Sequence, residues 1–375
     1  MKRYLVFFVI LAVCGQVPAQ NAVTKIIKKG LEFMDSTAVK GVDRRYIDIP
    51  KQPWQVVLKC NMNQSIVKME TSGEIAGMPY SAEPYLKTEL SQYVGLWVGY
   101  RGHGMGYTKK IGGKKGGYLS LASTGKNYGL NLRIHTFQND HPRFDIDSDL
   151  IPEENKDDWK QMHLKEPIKV RSFIADGYYM FNGKHFSYAA AYKQSFIQKR
   201  SAGSLMAGAM YYYGRIDYAA NTNADLIYLM HGLGKVKLWQ GSVGIGYTYN
   251  WVPAPGWIVN VMAMPMVTFV NRIKAYAYTT NMPEMLEDPR LLDEDINNEE
   301  WDKWWESSLR ITPMGEKTFN GGVTVNFDAR VSLSYNFGRY FVNVFGQFYN
   351  NRYRHNGSKG NLNDWFLNTS IGVRL

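Results

Sequence analysis

Twelve stretches of this chain alternate apolar and polar residues with a period of two, and the connections between them alternate in length. A period of two sends successive side chains to opposite faces of a strand. The stretches are 54–68, 86–101, 104–110, 117–124, 127–138, 185–198, 203–216, 235–251, 256–270, 319–337, 340–351 and 362–375. After every second one the link is short, at 102–103, 125–126, 199–202, 252–255 and 338–339, while the intervening links are mostly long and reach around 139–183 and 271–318. Sorting of this kind puts the short turns at one end of a strand array and the longer loops at the other. A Greek-key sandwich has no reason to do so, whereas a membrane barrel does. The even number of strands agrees, as does their length, close to the ten or so residues of a tilted crossing. The expected fold is all-β: a twelve-stranded antiparallel transmembrane β-barrel over residues 54–375, with short periplasmic turns and long extracellular loops.

The two faces fit that reading. In 319–337, Val323, Val325, Phe327, Ala329, Val331 and Leu333 share one side, and Thr324, Asn326, Asp328, Arg330, Ser332 and Ser334 share the other. Alternation alone would also suit a soluble sandwich. Aromatic residues near strand ends, among them Trp54, Tyr100, Trp239, Trp251, Trp257, Phe337, Tyr340 and Trp365, stand where an interfacial girdle would lie. The final stretch carries Trp365, Leu367, Thr369, Ile371, Val373 and Leu375 on one side, a pattern resembling the terminal signal by which outer-membrane barrels engage their assembly machinery. Beyond residue 19 no apolar run is long enough for a spanning helix, which excludes helical transporters.

Lys2 and Arg3 precede an apolar stretch ending at Val13, and Val17-Pro18-Ala19 offers small residues for cleavage. Residues 1–19 therefore read as a secretory signal peptide, so the chain is exported and its destination is the outer membrane. A lipoprotein signal ending at Cys14 is the rival. After cleavage Cys60 is the single cysteine, and no intrachain disulfide can form. Residues 20–53 read as a periplasmic lead-in with a short amphipathic helix over 25–34 and an extended piece over 43–50. The chain has 44 Lys and Arg against 33 Asp and Glu, a net +11, but its basic residues are scattered singly through strands and turns. No basic helix or aromatic RNA-binding signature accompanies them, so nucleic acid is not an expected partner.

Val42-Asp43 with Tyr46-Ile47, Tyr93-Val94-Gly95, Gly99-Tyr100-Arg101-Gly102, Gly106-Tyr107, Gly125-Lys126 and Tyr128-Gly129 form a recurring set of short motifs. The most specific run is Phe186-Ser187-Tyr188-Ala189-Ala190, Gln194, Gln198-Lys199 and Ser201-Ala202-Gly203-Ser204. Together they resemble a family of Bacteroidota outer-membrane-type barrels catalogued as a domain of unknown function, over nearly all of the mature chain. The resemblance implies location and architecture and brings no agreed activity or catalytic residues.

Candidate chemistry is sparse. His185 and Ser187 lie two apart, and their spacing is similar to that in the outer-membrane phospholipase family, where a histidine activates a serine. Read as strand residues, both point into the lumen, and no Asn-Gly follows Ser187. Lys59, Glu89, Arg133, His135, Lys193, Asp328 and Arg330 fall on lumen parity, where they would line a narrow pore or ligand pocket or fill the barrel as paired charges. Met262, Met264 and Met266 form another inward stripe. Trp301, Trp304 and Trp305 share helical spacing in the second long loop and would pack it over the mouth or offer a platform to a ligand. The acidic loops match no EF-hand spacing, so no metal site and no cofactor are expected. The expected role is a narrow channel or a surface ligand-binding barrel, with outer-membrane lipid, the barrel assembly machinery and a small solute or extracellular ligand as partners. A lipid- or lipopolysaccharide-modifying enzyme and a purely structural envelope barrel are the alternatives.

Overall fold

The computed structural model describes residues 20–75, 78–112, 115–148, 160–230, 232–281, 284–285, 288–289, 298–355 and 358–375. The signal peptide expected over 1–19 lies outside them. Helix α1 (Gln20–Val39) is longer than expected, and the short strand β1 (Ile47–Asp48) follows it. The ring is then built from β2 (Trp54–Ile75), β4 (Ser91–Tyr100), β5 (His103–Lys110), β6 (Gly116–Thr124), β7 (Tyr128–Asn139), β10 (Ile168–Met180), β12 (Ala202–Asp217), β13 (Leu233–Trp251), β14 (Trp257–Thr280), β16 (Thr324–Phe337), β17 (Tyr340–His355) and β18 (Ser358–Arg374). Each pairs antiparallel with the next, and β18 returns to β2 from Arg374↔Gln55 to Lys359↔Glu70. Twelve strands thus close an antiparallel barrel without an edge. Closure is what a sheet in hydrocarbon requires, because no water is there to satisfy an unpaired backbone group.

Side chains sort as the alternation implies. On β16, Val325, Phe327, Val331 and Leu333 face outward and exposed, whereas Asn326, Asp328, Arg330, Ser332 and Ser334 are buried in the lumen. Leu58, Leu96, Met105, Leu130, Leu205, Ile245 and Val261 continue the exposed apolar belt around the ring. A water-facing surface would not carry such a band, so this is an outer-membrane-type barrel. At the turn end Trp257 stacks on Tyr335 at 4.6 Å, and Tyr335, Phe337 and Tyr340 continue the row at 5.6 and 5.8 Å. The β4–β5 turn is tight because Arg101 and Gly102 both adopt positive φ, 51° and 91°, the conformation that joins two twisted strands with two residues.

One expected strand is not a strand. Residues 185–198 leave the ring and fold back inside its turn end, and the sixth barrel strand is β10, within what read as the first long loop. Helix α2 (Tyr188–Tyr192) forms there because Ser187 caps it, its hydroxyl accepting from the Ala190 amide at 3.1 Å, and three alanines leave room for a helix in a confined lumen. Strand β11 (Ile197–Gln198) then pairs with β1, which ties the lead-in to this plug. The plug is held from the seam of the barrel: Gln55 of β2 donates to the Gln194 carbonyl at 2.8 Å, and Arg374 of β18 donates to the same oxygen through Nε at 3.0 Å and Nη2 at 2.6 Å.

The long-loop end is more ordered than its sequence suggests. Strand β3 (Met78–Lys87) pairs with the upper part of β2, and β8 (Arg143–Ser148) and β9 (Lys160–Gln161) extend that flap. Strand β15 (Ile311–Asn320) pairs with the upper part of β14, so the second long loop is partly sheet and the segment expected over 319–337 is two strands. Helix α3 (Ala224–Leu229) packs Leu226 and Ile227, both fully buried, against Met69, Leu86, Phe144, Ile168 and Tyr218 over the mouth. Helix α4 (Asn298–Ser308) lies outside it.

Arg374 makes the plug test concrete. Arg374→Met should lower unfolding stability by about 2 kcal/mol, since it removes charge-assisted hydrogen bonds from a buried carbonyl, and should open the Lys193–Arg200 region to trypsin. Urea unfolding and timed trypsin digestion of the refolded barrel check it; unchanged digestion would disprove the latch.

Candidate functional site in the barrel lumen

Half-way along the lumen lies a layer of buried, paired charges. Strands β7, β10, β16 and β17 point Arg133, Asp176, Asp328, Arg330 and Gln347 into one plane. Arg133 binds Asp176. Arg330 reaches Asp328 at 3.1 Å and Asp176 at 3.3 Å, so Asp176 stands between two guanidiniums. Gln347 donates to Asp328 at 3.0 Å, Asn131 donates to Asp176 at 2.6 Å, and Tyr178 donates to Asp328 at 2.6 Å. Arg330 also bonds the hydroxyls of Tyr178 and of Tyr188 on the plug helix. Two arginines and two aspartates balance, which is how four charges persist away from water. Met262, Met264 and Met266 pack beside this layer with Met206, Tyr178 and Tyr188, while Pro265 faces outward, so the expected inward methionine stripe is space-filling.

The layer divides the lumen. On the loop side lies a small apolar chamber whose walls include Val67, Met69, Ile216, Leu238, Ile273 and Leu362. His135 sits towards that side, hydrogen-bonded through Nε2 to the Tyr93 hydroxyl at 2.7 Å and stacked on Phe137. On the turn side a second space is lined by Lys59, Lys193, Trp97, Asn61 and Asn368. The two ammoniums lie over the same Trp97 ring, 4.2 and 5.2 Å from its centroid, and neither has a carboxylate within ion-pair distance among the described residues.

Of the residues expected in the lumen, Arg133, Asp328 and Arg330 come together in the charged layer, His135 lies on one side of it, and Lys59 and Lys193 lie on the other. Glu89 does not belong with them: it stands in the connection after β3 at the loop end, 3.4 Å from His141. The expected alternation ran through residues 86–101 without a break, but between Ile66↔Lys87 and Asn63↔Ser91 the chain carries one residue more than β2, and this bulge at 88–90 puts Glu89 out of phase with the ring. No hydrogen bond joins His185 to Ser187. Their segment is a plug, the Ser187 hydroxyl is spent on its helix cap, and His185 turns to Asp43 at 3.4 Å and to Asn182 at 3.2 Å, with its ring on Tyr46. Hydrogen bonds from the Arg45 guanidinium and amide hold the Asp43 carboxyl well below the usual carboxylate range, so Asp43 stays ionised until strongly acidic pH.

Trp304 and Trp305 do not form an open platform. Trp304 is buried with Met285 and Leu309, and Trp305 donates to Asp225 at 2.9 Å and meets Tyr228, fixing α4 against α3. Trp301 lies in the same helix, with its side chain outside what is described. Asp176, Tyr178 and Tyr188 are the site residues that sequence reasoning missed. A signal was present: Ser172, Ile174, Asp176 and Tyr178 follow at intervals of two, and Asp176 is the acid that two lumen arginines demand.

The model of a family described as "Domain of unknown function (DUF4421)" matches residues 41–374. No curated protein matches the chain. Among solved structures, the translocator domain of the autotransporter NalP from Neisseria meningitidis is similar at 7% identity and TM-score 0.32, covering 95% of this chain and 98% of that one. An outer membrane channel from Pseudomonas putida F1 is similar at 9% identity and TM-score 0.31, covering 88% and 97%. The toluene transporter TodX of P. putida gives 8% identity and TM-score 0.22 over 87% and 91%. Likeness this low carries nothing to this chain, whose fold rests on its own strand ladder.

Asp176→Ala should be among the most damaging lumen substitutions, because it leaves two buried guanidiniums with one carboxylate. The expected loss is about 3–5 kcal/mol, read from the urea midpoint of the refolded barrel. A midpoint within experimental error of the parent would show that the layer is solvated.

Proposed function

From the premise that the chain belongs to this family of unknown function, we propose that it is a sealed outer-membrane barrel holding an apolar or amphiphilic small molecule in its loop-side chamber. The observation that carries this reading is the layering itself: an apolar chamber, roofed by α3, stands over a layer of buried, paired charges. Ligand pockets are concave and mostly apolar, with a few fixed polar groups, and this chamber has that composition. The short turns face the periplasm and the long loops face outward, so the ligand enters from the cell exterior. Export by the 1–19 signal peptide, assembly through the last strand and a Bacteroidota source belong to the same proposal. The spent Ser187 hydroxyl gives the lipase alternative no support.

A second reading rests on Lys59 and Lys193, whose uncompensated charges on the turn side suit a gated path for anions. Planar-bilayer recording separates the two. The sealed barrel should be silent when inserted, and in nanodiscs it should enhance the fluorescence of N-phenyl-1-naphthylamine over empty discs, an effect that Ile216→Glu weakens roughly ten-fold by placing a charge in an apolar wall. Steady conductance would sink the sealed reading, and anion selectivity abolished by Lys59→Gln with Lys193→Gln would establish the second.

The orientation has its own check. In a Cys60→Ser background, Lys317→Cys should react with an impermeant maleimide on intact cells and Lys199→Cys should not; the reverse pattern would invert the topology.

A further inference from the structure

The flap at the loop end brings three metal-ligating side chains together, with a second histidine beside them. Strand β8 pairs with β9 at Arg143↔Gln161, and the ladder continues past both strands through Met162 N to Pro142 O at 2.8 Å and Leu164 N to Asp140 O at 3.0 Å. That register sets His141 opposite His163, and their rings meet edge to face at 4.9 Å. On the other side β8 pairs with β3 as far as Lys87↔Arg143, and two residues further along the same register Glu89 stands opposite His141. Directly opposed residues on neighbouring strands have their Cβ atoms about 5 Å apart. Three separate segments therefore converge on the His141 imidazole.

The distances match ligands of one ion. His141 Nδ1 lies 3.4 Å from a Glu89 oxygen and 3.3 Å from an Asp140 oxygen, and the three ligand atoms all fall within 4.8 Å of one another. A good N–H···O hydrogen bond is shorter, about 2.7–3.2 Å. A tetrahedral ion with bonds of about 2.0–2.1 Å to nitrogen and carboxylate oxygen has ligand–ligand edges of roughly 3.3–3.4 Å. We propose that Glu89, Asp140 and His141 bind a divalent transition-metal ion of the zinc type, with the His163 ring packed on His141 to hold it in position. Imidazole nitrogen beside carboxylate oxygen is a borderline donor set that favours such an ion over calcium, which takes six to eight oxygens. Two carboxylates neutralise its charge. Glu89 and His141 are each 37% exposed, so the ion reaches the site from water. Lys110, held by the Gln138 carbonyl at 3.2 Å, is the nearby cation that bound metal would displace from the field of the two carboxylates. Bound metal would join the β3–β4 connection, the corner after β7 and the segment after β9, three pieces of one flap. The proposal is independent of the chamber reading, since the site lies outside the lumen.

The test is calorimetric titration of zinc chloride into refolded, tag-free, chelator-treated barrel in detergent. One ion per chain should bind. His141→Ala should abolish binding, Glu89→Gln and His163→Ala should each weaken it by about 10–100-fold, and His185→Ala should leave it unchanged. Cobalt in place of zinc should give visible absorption bands of four-coordinate strength in the parent and none in His141→Ala, and heat-modifiable migration on gels confirms that each variant is folded. Absence of zinc binding, binding retained in the His141→Ala/His163→Ala double variant, or tighter binding of calcium than of zinc would overturn the proposal.

Discussion

Backbone hydrogen bonding in hydrocarbon is the constraint from which the rest of this structure follows. A sheet that faces lipid must have every N–H and C=O paired, so it must close, and the β18–β2 ladder closes it. Closure with a period-two chain sends half of the side chains outward into an apolar belt and half inward. The inward half is too polar to form an ordinary core, with Asn, Ser, Gln, Asp and Arg on nearly every strand. Those groups are costly to bury unless paired, and the charged layer around Asp176 together with the amide and hydroxyl bonds about it satisfies most of them.

Much of this was legible in the chain. Strand positions, strand number and the sorting of turns from loops follow from alternation and spacing, because the lipid-facing side must be apolar wherever a strand crosses. The error in the sixth strand has a physical origin. In β10 the outward residues near the loop end are Lys169 and Arg171, beyond the hydrocarbon, and the inward ones include Ile168, Val170 and Ile174, so the contrast between faces is reversed over its first half. The plug segment shows a spurious alternation of polar and aromatic residues. Its true signal was the Ser187 cap before three alanines, which is a helical and not a strand pattern.

The candidate site was legible in half. Arg133, Asp328 and Arg330 could be placed in the lumen by parity alone, but their shared partner Asp176 was hidden with β10. Glu89 was misplaced because one extra residue between two collinear strands shifts the alternation without interrupting it. The relation between Glu89, His141 and His163 was not readable at all, since it depends on the register of a flap formed by segments far apart in sequence.

The double grip on Gln194 ties the wall of the barrel to what fills it. Gln55 and Arg374 are opposed in the ladder that closes the ring, on its first and final strands, and both bond one carbonyl of the segment folded inside. The seam of the wall and the seat of the plug therefore draw on the same two residues, so whatever parts the first strand from the last also lets go of the plug.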